Sequence, residues 1–129
     1  MDNLLLIDTD VLIDVGRKNK IAIDRLNEEQ KTSIIAISSI TQMELIVGCR
    51  NKNELKQLEK FLEDFEIINL NYEITQKAIE LLKEYKLSHG LLIADSLIAA
   101  SAMILDAPLL TKNQKDFRYI KGLKVLKYP

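Results

Sequence analysis

The chain opens with a short apolar run, Leu4 to Ile7, that is followed at once by Asp8, Thr9 and Asp10. An apolar run without alternation is typical of a strand that is covered on both faces of a sheet. Acidic residues directly after such a strand lie at the carboxyl edge of a parallel sheet, where open α/β folds build their sites. This segment therefore predicts an α/β protein with acidic groups at the sheet edge.

Four further apolar runs follow, separated by helical patterns. In two of these patterns, Asn53 to Phe65 and Tyr72 to Leu87, apolar residues recur at helical spacing and charges occupy the other face. Alternating strands and helices imply a parallel sheet with right-handed crossovers. We predict an α/β fold whose central parallel sheet of four to five short strands is covered by helices on both faces. The further runs are Ile34 to Ile37, Ile67 to Leu70, Leu109 to Leu110 and Leu123 to Leu126.

Length and composition restrict the class of protein. With 129 residues and 47% hydrophobic content, the chain suits one domain that spans residues 1–129. Its 18 Lys and Arg against 19 Asp and Glu exclude a globally basic surface for nucleic acid. A single cysteine, Cys49, excludes an intrachain disulfide and a multi-cysteine zinc site. No apolar run approaches the roughly 18 residues of a membrane span, so we expect a cytoplasmic protein without membrane contact.

Two helical patterns are mostly apolar yet contain an acidic residue. The pattern from Ser39 to Cys49 places Glu44 among apolar neighbours, and the pattern from Ala94 to Leu105, predicted to be central, carries Asp95 in its first turn. A buried carboxylate is costly unless it is paired, hydrogen-bonded or bound to metal. Taken singly, a helix-dipole contact explains Asp95 and an ion pair explains Glu44 equally well. Taken together with the acids after the first strand, they favour convergence on a divalent cation.

Four segments combine apolar runs or helices with these acids. They are LLLIDTDVLID at 4–14, ITQMELIVG at 40–48, ADSLIAA at 94–100 and LLTKNQKDF at 109–117. In order and spacing they resemble the successive motifs of PIN-domain proteins, in particular VapC-type toxins, over essentially the whole chain. The resemblance implies a Mg²⁺- or Mn²⁺-dependent endoribonuclease that is neutralised by a cognate antitoxin and is usually a homodimer.

Carried over position by position, the resemblance assigns the acids. Asp8, Glu44 and Asp95 match the three acidic positions of the family's metal site, and Asp116 matches a fourth, more variable one. Asp8 and Asp95 would be the principal ligands of Mg²⁺ or Mn²⁺, which hard oxygen donors suit. Glu44 would position or deprotonate the attacking water, and Asp116 would complete the site. A bound divalent ion can activate water and neutralise charge on a phosphoryl transition state.

Other polar residues in these motifs are expected to support the acids. Thr9 and Thr111 stand where the family often has a hydroxyl, and Asn113 stands where it often has a polar support. Asp10 departs from the pattern, because many relatives have Asn or Ser there. We expect its carboxylate to cap the start of the following helix rather than to serve as an outer ligand.

Basic residues near the acids would hold the RNA substrate. Arg17 follows the first motif, and Lys112, Lys115 and Arg118 surround the last, so both groups are expected at the carboxyl edge of the sheet, in contact with phosphates. With no Trp and four Tyr, the composition predicts little base stacking. His89 is expected to lie in a loop without a catalytic role.

The implied antitoxin predicts a docking groove on the protein. Such partners lay an extended or helical segment along the toxin and send an Arg towards the acidic pocket. The helix from Ile40 to Cys49 and a preceding helix around Ile21 to Leu26 offer apolar residues for one groove wall.

Two other functions remain open at this point. The first run also resembles the first motif of haloacid-dehalogenase-like phosphatases, in which Asp8 would be a phosphorylated nucleophile and Asp10 a general acid. That interpretation leaves Glu44 without a role. The other possibility is a catalytically silent PIN-like module that binds RNA or protein.

Overall fold

The protein is built on a parallel sheet in which strand order differs from chain order. The computed structural model describes residues 3–129, so the first two residues of the predicted domain lie outside the described part. The sheet has four strands within this range, in the order β3-β2-β1-β4, and all neighbours are parallel. The predicted α/β fold is therefore confirmed. The strands are β1 Leu4–Ile7, β2 Ile34–Ser38, β3 Glu66–Ile68 and β4 Leu109–Leu110.

Helices connect and cover these strands. Most begin at a residue whose side chain accepts a backbone N–H of the first turn, as Asn51 and Asn71 do for α4 and α5. Within residues 3–129, none of the helices has the length and apolar content that crossing a membrane requires. The helices are α1 Thr9–Gly16, α2 Lys20–Gln30, α3 Ser39–Val47, α4 Lys52–Leu62, α5 Tyr72–His89, α6 Ile93–Ile104 and α7 Gln114–Phe117.

The predicted fifth strand, Leu123 to Leu126, is wrong. This segment forms an isolated parallel bridge between Leu109 and Val125 and no strand of its own. The Leu109 N–H donates to the Lys124 carbonyl (2.8 Å), and the Leu126 N–H donates to the Leu109 carbonyl (2.9 Å). Because β4 itself is two residues long, it offers too short an edge for a longer ladder.

The sheet separates two apolar clusters, one on each face. Alternating side chains of β1 divide between them, with Leu6 in the cluster under α5, α6 and α7, and Leu5 and Ile7 in the cluster under α1, α2 and α4. Helix α6 is central, as predicted, and its small residues Ala99 and Ala100 are fully buried. Small side chains let this helix approach the sheet and α5 closely.

Helix α3 is more exposed than its sequence suggests. Its buried residues are the polar Ser39 and Thr41 near its start. The apolar residues around Glu44 are largely accessible, with exposed fractions of 52% for Met43 and 83% for Val47. The prediction that Glu44 is embedded among apolar neighbours is therefore wrong, because the second half of α3 extends beyond the core.

Candidate metal centre

The predicted acidic residues stand at the ends of elements that meet at the carboxyl edge of the sheet. Asp8 follows β1 and caps α1, and Asp95 lies in the first turn of α6. Glu44 lies in α3, which follows β2, and Asp116 lies in α7, which follows β4. Strands β1, β2 and β4 run parallel, so the segments that follow them emerge on the same side.

Asp8 is buried and held at both carboxylate oxygens. The residue is only 5% exposed to solvent. Oδ1 accepts the N–H of Thr9 (2.7 Å), which caps α1, and Oδ2 accepts the hydroxyl of Thr111 (2.8 Å) from the loop after β4. The carboxylate therefore has a fixed orientation between two segments that are about a hundred residues apart in sequence.

The electrostatic environment of Asp8 disfavours its negative charge. Burial raises the pKa of Asp8 to about 7, and the neighbouring charge of Asp10 adds to this effect. Hydrogen bonds from Thr111 and Thr9 act in the opposite direction but do not cancel it, and the charge of Asp95 contributes a further rise. Near neutral pH this carboxyl is therefore poised to gain or lose a proton.

Asp95 links the remaining acids. Burial and, in order of decreasing effect, the charges of Asp116, Glu44 and Asp10 together raise the pKa of Asp95 to about 6. The structure thus places all of these carboxylates within electrostatic reach of one another. Among the residues that the structure describes, no ion pair with a Lys or Arg involves any of the five acids of the cluster, which are Asp8, Asp10, Glu44, Asp95 and Asp116.

Glu44 is tied to the start of α1 although its residue is exposed. Its Oε1 accepts the hydroxyl of Thr9 (2.6 Å), and the Thr9 hydroxyl lies 3.0 Å from that of buried Thr41. Thr41 was not predicted as a site residue. Its position three residues before Glu44, on the same face of α3, was the signal that could have identified it.

Asp10 does not cap α1, so the predicted role is wrong. Asp8 is the capping residue, and the Asp10 side chain reaches the loop after β4 instead. There its Oδ2 accepts the backbone N–H groups of Lys112 and Asn113, both at 3.1 Å. Its other oxygen, Oδ1, is buried and has no hydrogen-bond partner within residues 3–129. Burial also raises the pKa of Asp10.

The loop after β4 is organised by Thr111 and Gln114. The Thr111 hydroxyl accepts the N–H of Asn113 (3.0 Å) while donating to Asp8. The amide of Gln114 donates to the carbonyls of Thr111 (2.8 Å) and Leu126 (3.0 Å), which closes the loop onto the C-terminal segment. The side chain of Asn113 makes no capping hydrogen bond to α7. Gln114 is a supporting residue that the sequence did not reveal.

The predicted RNA-binding residues occupy different environments. Lys112 forms an ion pair with Asp14 (2.7 Å), so its charge is already paired. Arg17 follows α1 and lines a groove together with Glu44. Lys115 and Arg118 are exposed on either side of Asp116. The basic groups therefore border the acidic cluster without neutralising it.

The groove has different walls from those predicted. A cavity of about 620 Å³ lies between α1, α3 and the start of α4, and its lining includes Ile13, Leu45 and Glu54. A neighbouring apolar depression of about 430 Å³ extends it along α4 to Phe61. No residue of α2 lines either of these two cavities. Ala22 and Leu26 of α2 pack into the core, whereas Ile21 is 56% exposed, and the predicted contribution of α2 to a docking groove stays a prediction.

His89 is part of a helix and not of a loop. It is the last residue of α5, which ends because Gly90 adopts a left-handed conformation (φ 72°). Its ring stacks on Tyr119, a residue that the sequence did not suggest for the site. Burial raises the pKa of Tyr119, and the charges of Asp116 and Asp95 raise it further, which places this phenol beside the acidic cluster.

The donor set fits a hard divalent cation, although the side chains are not drawn together around one. Within residues 3–129, no three His, Cys, Asp or Glu side chains are arranged closely enough to hold a metal ion as they stand. The cluster nevertheless consists of carboxylate and hydroxyl oxygens, includes the unpartnered Asp10 oxygen, and contains three carboxyls with raised pKa values, those of Asp8, Asp10 and Asp95. A cation would relieve the repulsion and draw the carboxylates inward.

The chain matches known proteins over almost its full length. The sequence profile of the PIN domain matches residues 5–123. The chain therefore belongs to the PIN-domain family, which confirms the resemblance seen in the motifs and rules out the phosphatase interpretation of the first motif.

Individual relatives are of the VapC type. The chain is 37% identical to Ribonuclease VapC1 of Methanocaldococcus jannaschii over 128 residues, covering 96% of this chain and 88% of that protein. Among solved structures, VapBC2 of Rickettsia felis bound to a promoter DNA fragment superposes with a TM-score of 0.84, at 29% identity and with coverage of 98% and 99% of the two chains. A toxin-antitoxin complex from Klebsiella pneumoniae gives a TM-score of 0.81 at 33% identity, with coverage of 97% and 99%.

Proposed function

We propose that this protein is a metal-dependent endoribonuclease that acts as the toxin of a toxin-antitoxin pair. The activity is assigned to residues 1–129 as one nuclease domain that works in the cytoplasm, where its RNA substrate lies. Similarity to proteins named as VapC ribonucleases and to VapBC complexes supports this proposal. The observation that carries it is the cluster of carboxylates that repel one another and have no ion-pair partner among residues 3–129.

The metal would be held mainly by Asp8 and Asp95. The pKa values of these two carboxyls are raised most, to about 7 for Asp8 and about 6 for Asp95, so they gain most from a nearby positive charge. Asp116, which raises the pKa of Asp95, would complete the site from α7. Carboxylate oxygens suit Mg²⁺ or Mn²⁺ better than zinc, which prefers the nitrogen and sulfur ligands that this cluster lacks among the described residues. The bound ion would supply charge neutralisation and water activation.

Glu44 is the residue best placed to handle the attacking water. Its Oε1 is fixed by the Thr9 hydroxyl, while its residue remains exposed to solvent and to substrate. A carboxylate with one oxygen held and the other free can orient a water molecule and accept its proton. Thr9 and Thr41 thus act as positioning residues for Glu44.

Substrate binding is assigned to the basic residues that border the cluster. Lys115 and Arg118 flank Asp116 and can contact phosphates on one side of the cleaved bond. Arg17 is suited to the other side, next to Glu44. Lys112 is suited to holding Asp14 and the loop after β4, with a smaller contribution to RNA binding.

A cleavage assay tests the nuclease proposal. Purified protein, free of antitoxin, is incubated with structured RNAs in Mg²⁺, in Mn²⁺ and in EDTA, and the new ends are mapped. We expect internal cuts that require metal and that Asp8→Asn abolishes. Tight RNA binding with no cleavage in either metal would instead support the catalytically silent module.

The groove between α1, α3 and α4 is the proposed docking site for the antitoxin. The groove is lined by apolar residues and, at one end, by Glu44. A partner segment that lies in the groove can therefore reach the acidic cluster. A basic side chain entering the cluster would compensate the same charges as the metal. Inhibition should therefore weaken as Mg²⁺ or Mn²⁺ rises. The free protein is proposed to be a homodimer, as the family resemblance implies.

Co-expression tests the toxin role and the groove together. The product of the open reading frame immediately upstream should rescue growth arrest caused by this chain and should co-purify with it. Ile13→Asp in the groove should abolish co-purification, whereas Ile79→Asp on α5 should not, although the two isoleucines are similarly exposed, at 38% and 41%. If the chain alone is harmless in cells but cleaves RNA when purified, the toxin role is abandoned and the nuclease role is kept.

A further inference from the structure

An aromatic stack lies beside the acidic cluster. The rings of His89 and Tyr119 are nearly parallel, with 8° between their planes and 4.0 Å between their centroids. The two residues come from distant segments, the end of α5 and the turn after α7. Such a close, nearly parallel pairing covers one face of each ring and leaves the other face directed away from the stack.

The stack is held in place from beneath. Buried Tyr85 meets both rings edge-on, at 5.9 Å from His89 and 5.2 Å from Tyr119. Its hydroxyl accepts the N–H of Lys121 (3.2 Å), which anchors the turn that carries Tyr119. The Ser88 hydroxyl lies 2.7 Å from Nδ1 of His89 and further restricts the imidazole. The surface is therefore preorganised.

The outer part of the stack is open to ligand. Tyr85 is 8% exposed, as expected of an aromatic residue in the core. His89, in contrast, is exposed, and Tyr119 is half-buried. Within residues 3–129, no other aromatic ring covers the remaining face of the imidazole. Core packing thus accounts for Tyr85 and leaves the exposed face of His89 unexplained.

The two residues of the stack are close in sequence to two of the acids. Tyr119 comes three residues after Asp116, and His89 comes six residues before Asp95. The charges of Asp116 and Asp95 also help to raise the pKa of Tyr119, so the phenol lies within their field. Helix α7, which carries Asp116, contacts α6, which carries Asp95, and Tyr119 lies in the turn directly after α7. The stack therefore borders the cluster at which the proposed metal would hold a phosphate.

We propose that the exposed face of His89, backed by Tyr119, stacks one unpaired nucleobase of the RNA next to the cleaved phosphate. This inference rests on the proposed nuclease function and adds a substrate preference to it. Every base has a π-face, so the platform selects unpaired over paired nucleotides without selecting a particular base. The low aromatic content predicts little base stacking overall, and the proposal adds one local stacking site to that expectation.

Binding of a labelled single-stranded oligoadenylate 12-mer tests the platform. Fluorescence anisotropy is measured in EDTA with Asp8→Asn as the common background, so that no cleavage is needed. His89→Ala should weaken binding by about 5- to 100-fold, the range expected for losing one stacked base. A 12-mer with abasic spacers in place of the bases should bind His89→Ala and its parent equally. His89→Phe, which keeps a flat ring, should restore binding to the oligoadenylate.

Tyr72→Ala is the matched control, because Tyr72 is 78% exposed at the other end of α5, about 25 Å from His89 along the helix. It should leave both affinities unchanged, and thermal melts should show that each variant is folded. Equal weakening on the two 12-mers, or no weakening on either, would overturn the platform. So would a loss of antitoxin binding in His89→Ala without a loss of RNA binding. The assay measures binding and requires no cleavage. Its outcome therefore tests the stacking platform separately from the proposed nuclease activity.

Discussion

Helices α3 and α6 each deliver one carboxylate to the same cluster, but they bury very different parts of their surface. Helix α6 packs against both α5 and the sheet, and the residues from Ile98 to Ala102 are all buried. Helix α3 buries two polar residues near its start and exposes much of its apolar surface, including Ile46 at 43%. Both helices are mostly apolar, so an apolar composition alone does not tell which of them is buried.

The difference indicates that apolar surface serves two purposes in this molecule. In α6 it builds the core and holds the helix that carries Asp95 against the sheet and α5. In α3 it borders the groove that we assign to the antitoxin, and Glu44 is fixed instead by the hydroxyl of Thr9. One acid is therefore positioned by packing and the other by a hydrogen bond.

The largest expected effect is on cleavage, and it should be the same for both helices. Asp95→Ala and Glu44→Ala should each lower the rate of RNA cleavage at least about 10³-fold, equivalent to about 4 kcal/mol of transition-state stabilisation. Asp8→Ala should do the same, and Asp116→Ala should leave reduced activity in Mn²⁺. The control is Glu59→Ala on α4, an exposed acid outside the cluster, which should cleave normally. Residual cleavage by Glu44→Ala near the wild-type rate would show that α3 contributes to binding and not to chemistry.

The same substitution on the two helices should separate their contributions to stability. Ile98→Ala removes a side chain that is 1% exposed and should cost about 2–5 kcal/mol of unfolding free energy. Ile46→Ala should cost less than about 1 kcal/mol in the free protein, because that residue is already 43% exposed. Urea denaturation of the two variants measures both values. Comparable losses would mean that α3 belongs to the core after all.

The pH dependence of stability should reveal the repulsion between the acids. Because burial and Asp10 raise the pKa of Asp8 from 3.8 to about 7, the folded protein binds this proton more tightly than the unfolded chain does. Metal-free protein should therefore lose about 2 kcal/mol of stability as the pH rises from 5 to 7. Asp95, with its pKa near 6, should add to the loss over the lower part of this range.

Thermal melts in EDTA at several pH values measure this dependence, and Asp8→Asn should flatten it. Millimolar Mn²⁺ should have the opposite pH trend, stabilising the wild type more at pH 7 than at pH 5, because the cation binds the ionised carboxylates. A wild-type melting temperature that Mn²⁺ leaves unchanged at both pH values would contradict the metal centre.

The smallest effect is expected at Asp10, which lies on neither helix. Asp10→Asn should change cleavage less than about threefold, because an amide oxygen can still accept the N–H groups of Lys112 and Asn113. Asp10→Ala should lose about 1 kcal/mol of stability through the loop after β4. An Asp10→Asn variant as inactive as Asp8→Asn would identify the unpartnered oxygen of Asp10 as a metal ligand.

Much of the architecture could be read from local patterns. The run before Asp8 formed β1 with its predicted boundaries, and α6 was central because small and apolar residues surround its whole circumference. Parallel strands place their carboxyl ends on one side, so acids that follow different strands are expected near one another. Their assigned roles as ligands and base stay predictions that the cleavage and melting experiments address.

Contacts between distant segments decided the rest. The partner of Asp10 lies about a hundred residues away, the stack joins His89 to Tyr119, and the predicted fifth strand failed because β4 is too short to pair with it. Sequence periodicity reports which side of a helix is apolar, since that depends on neighbours within a few positions. Whether that side meets the protein's own core or remains available to another molecule, as on α3, depends on where the other helices pack, and only the tertiary structure determines this.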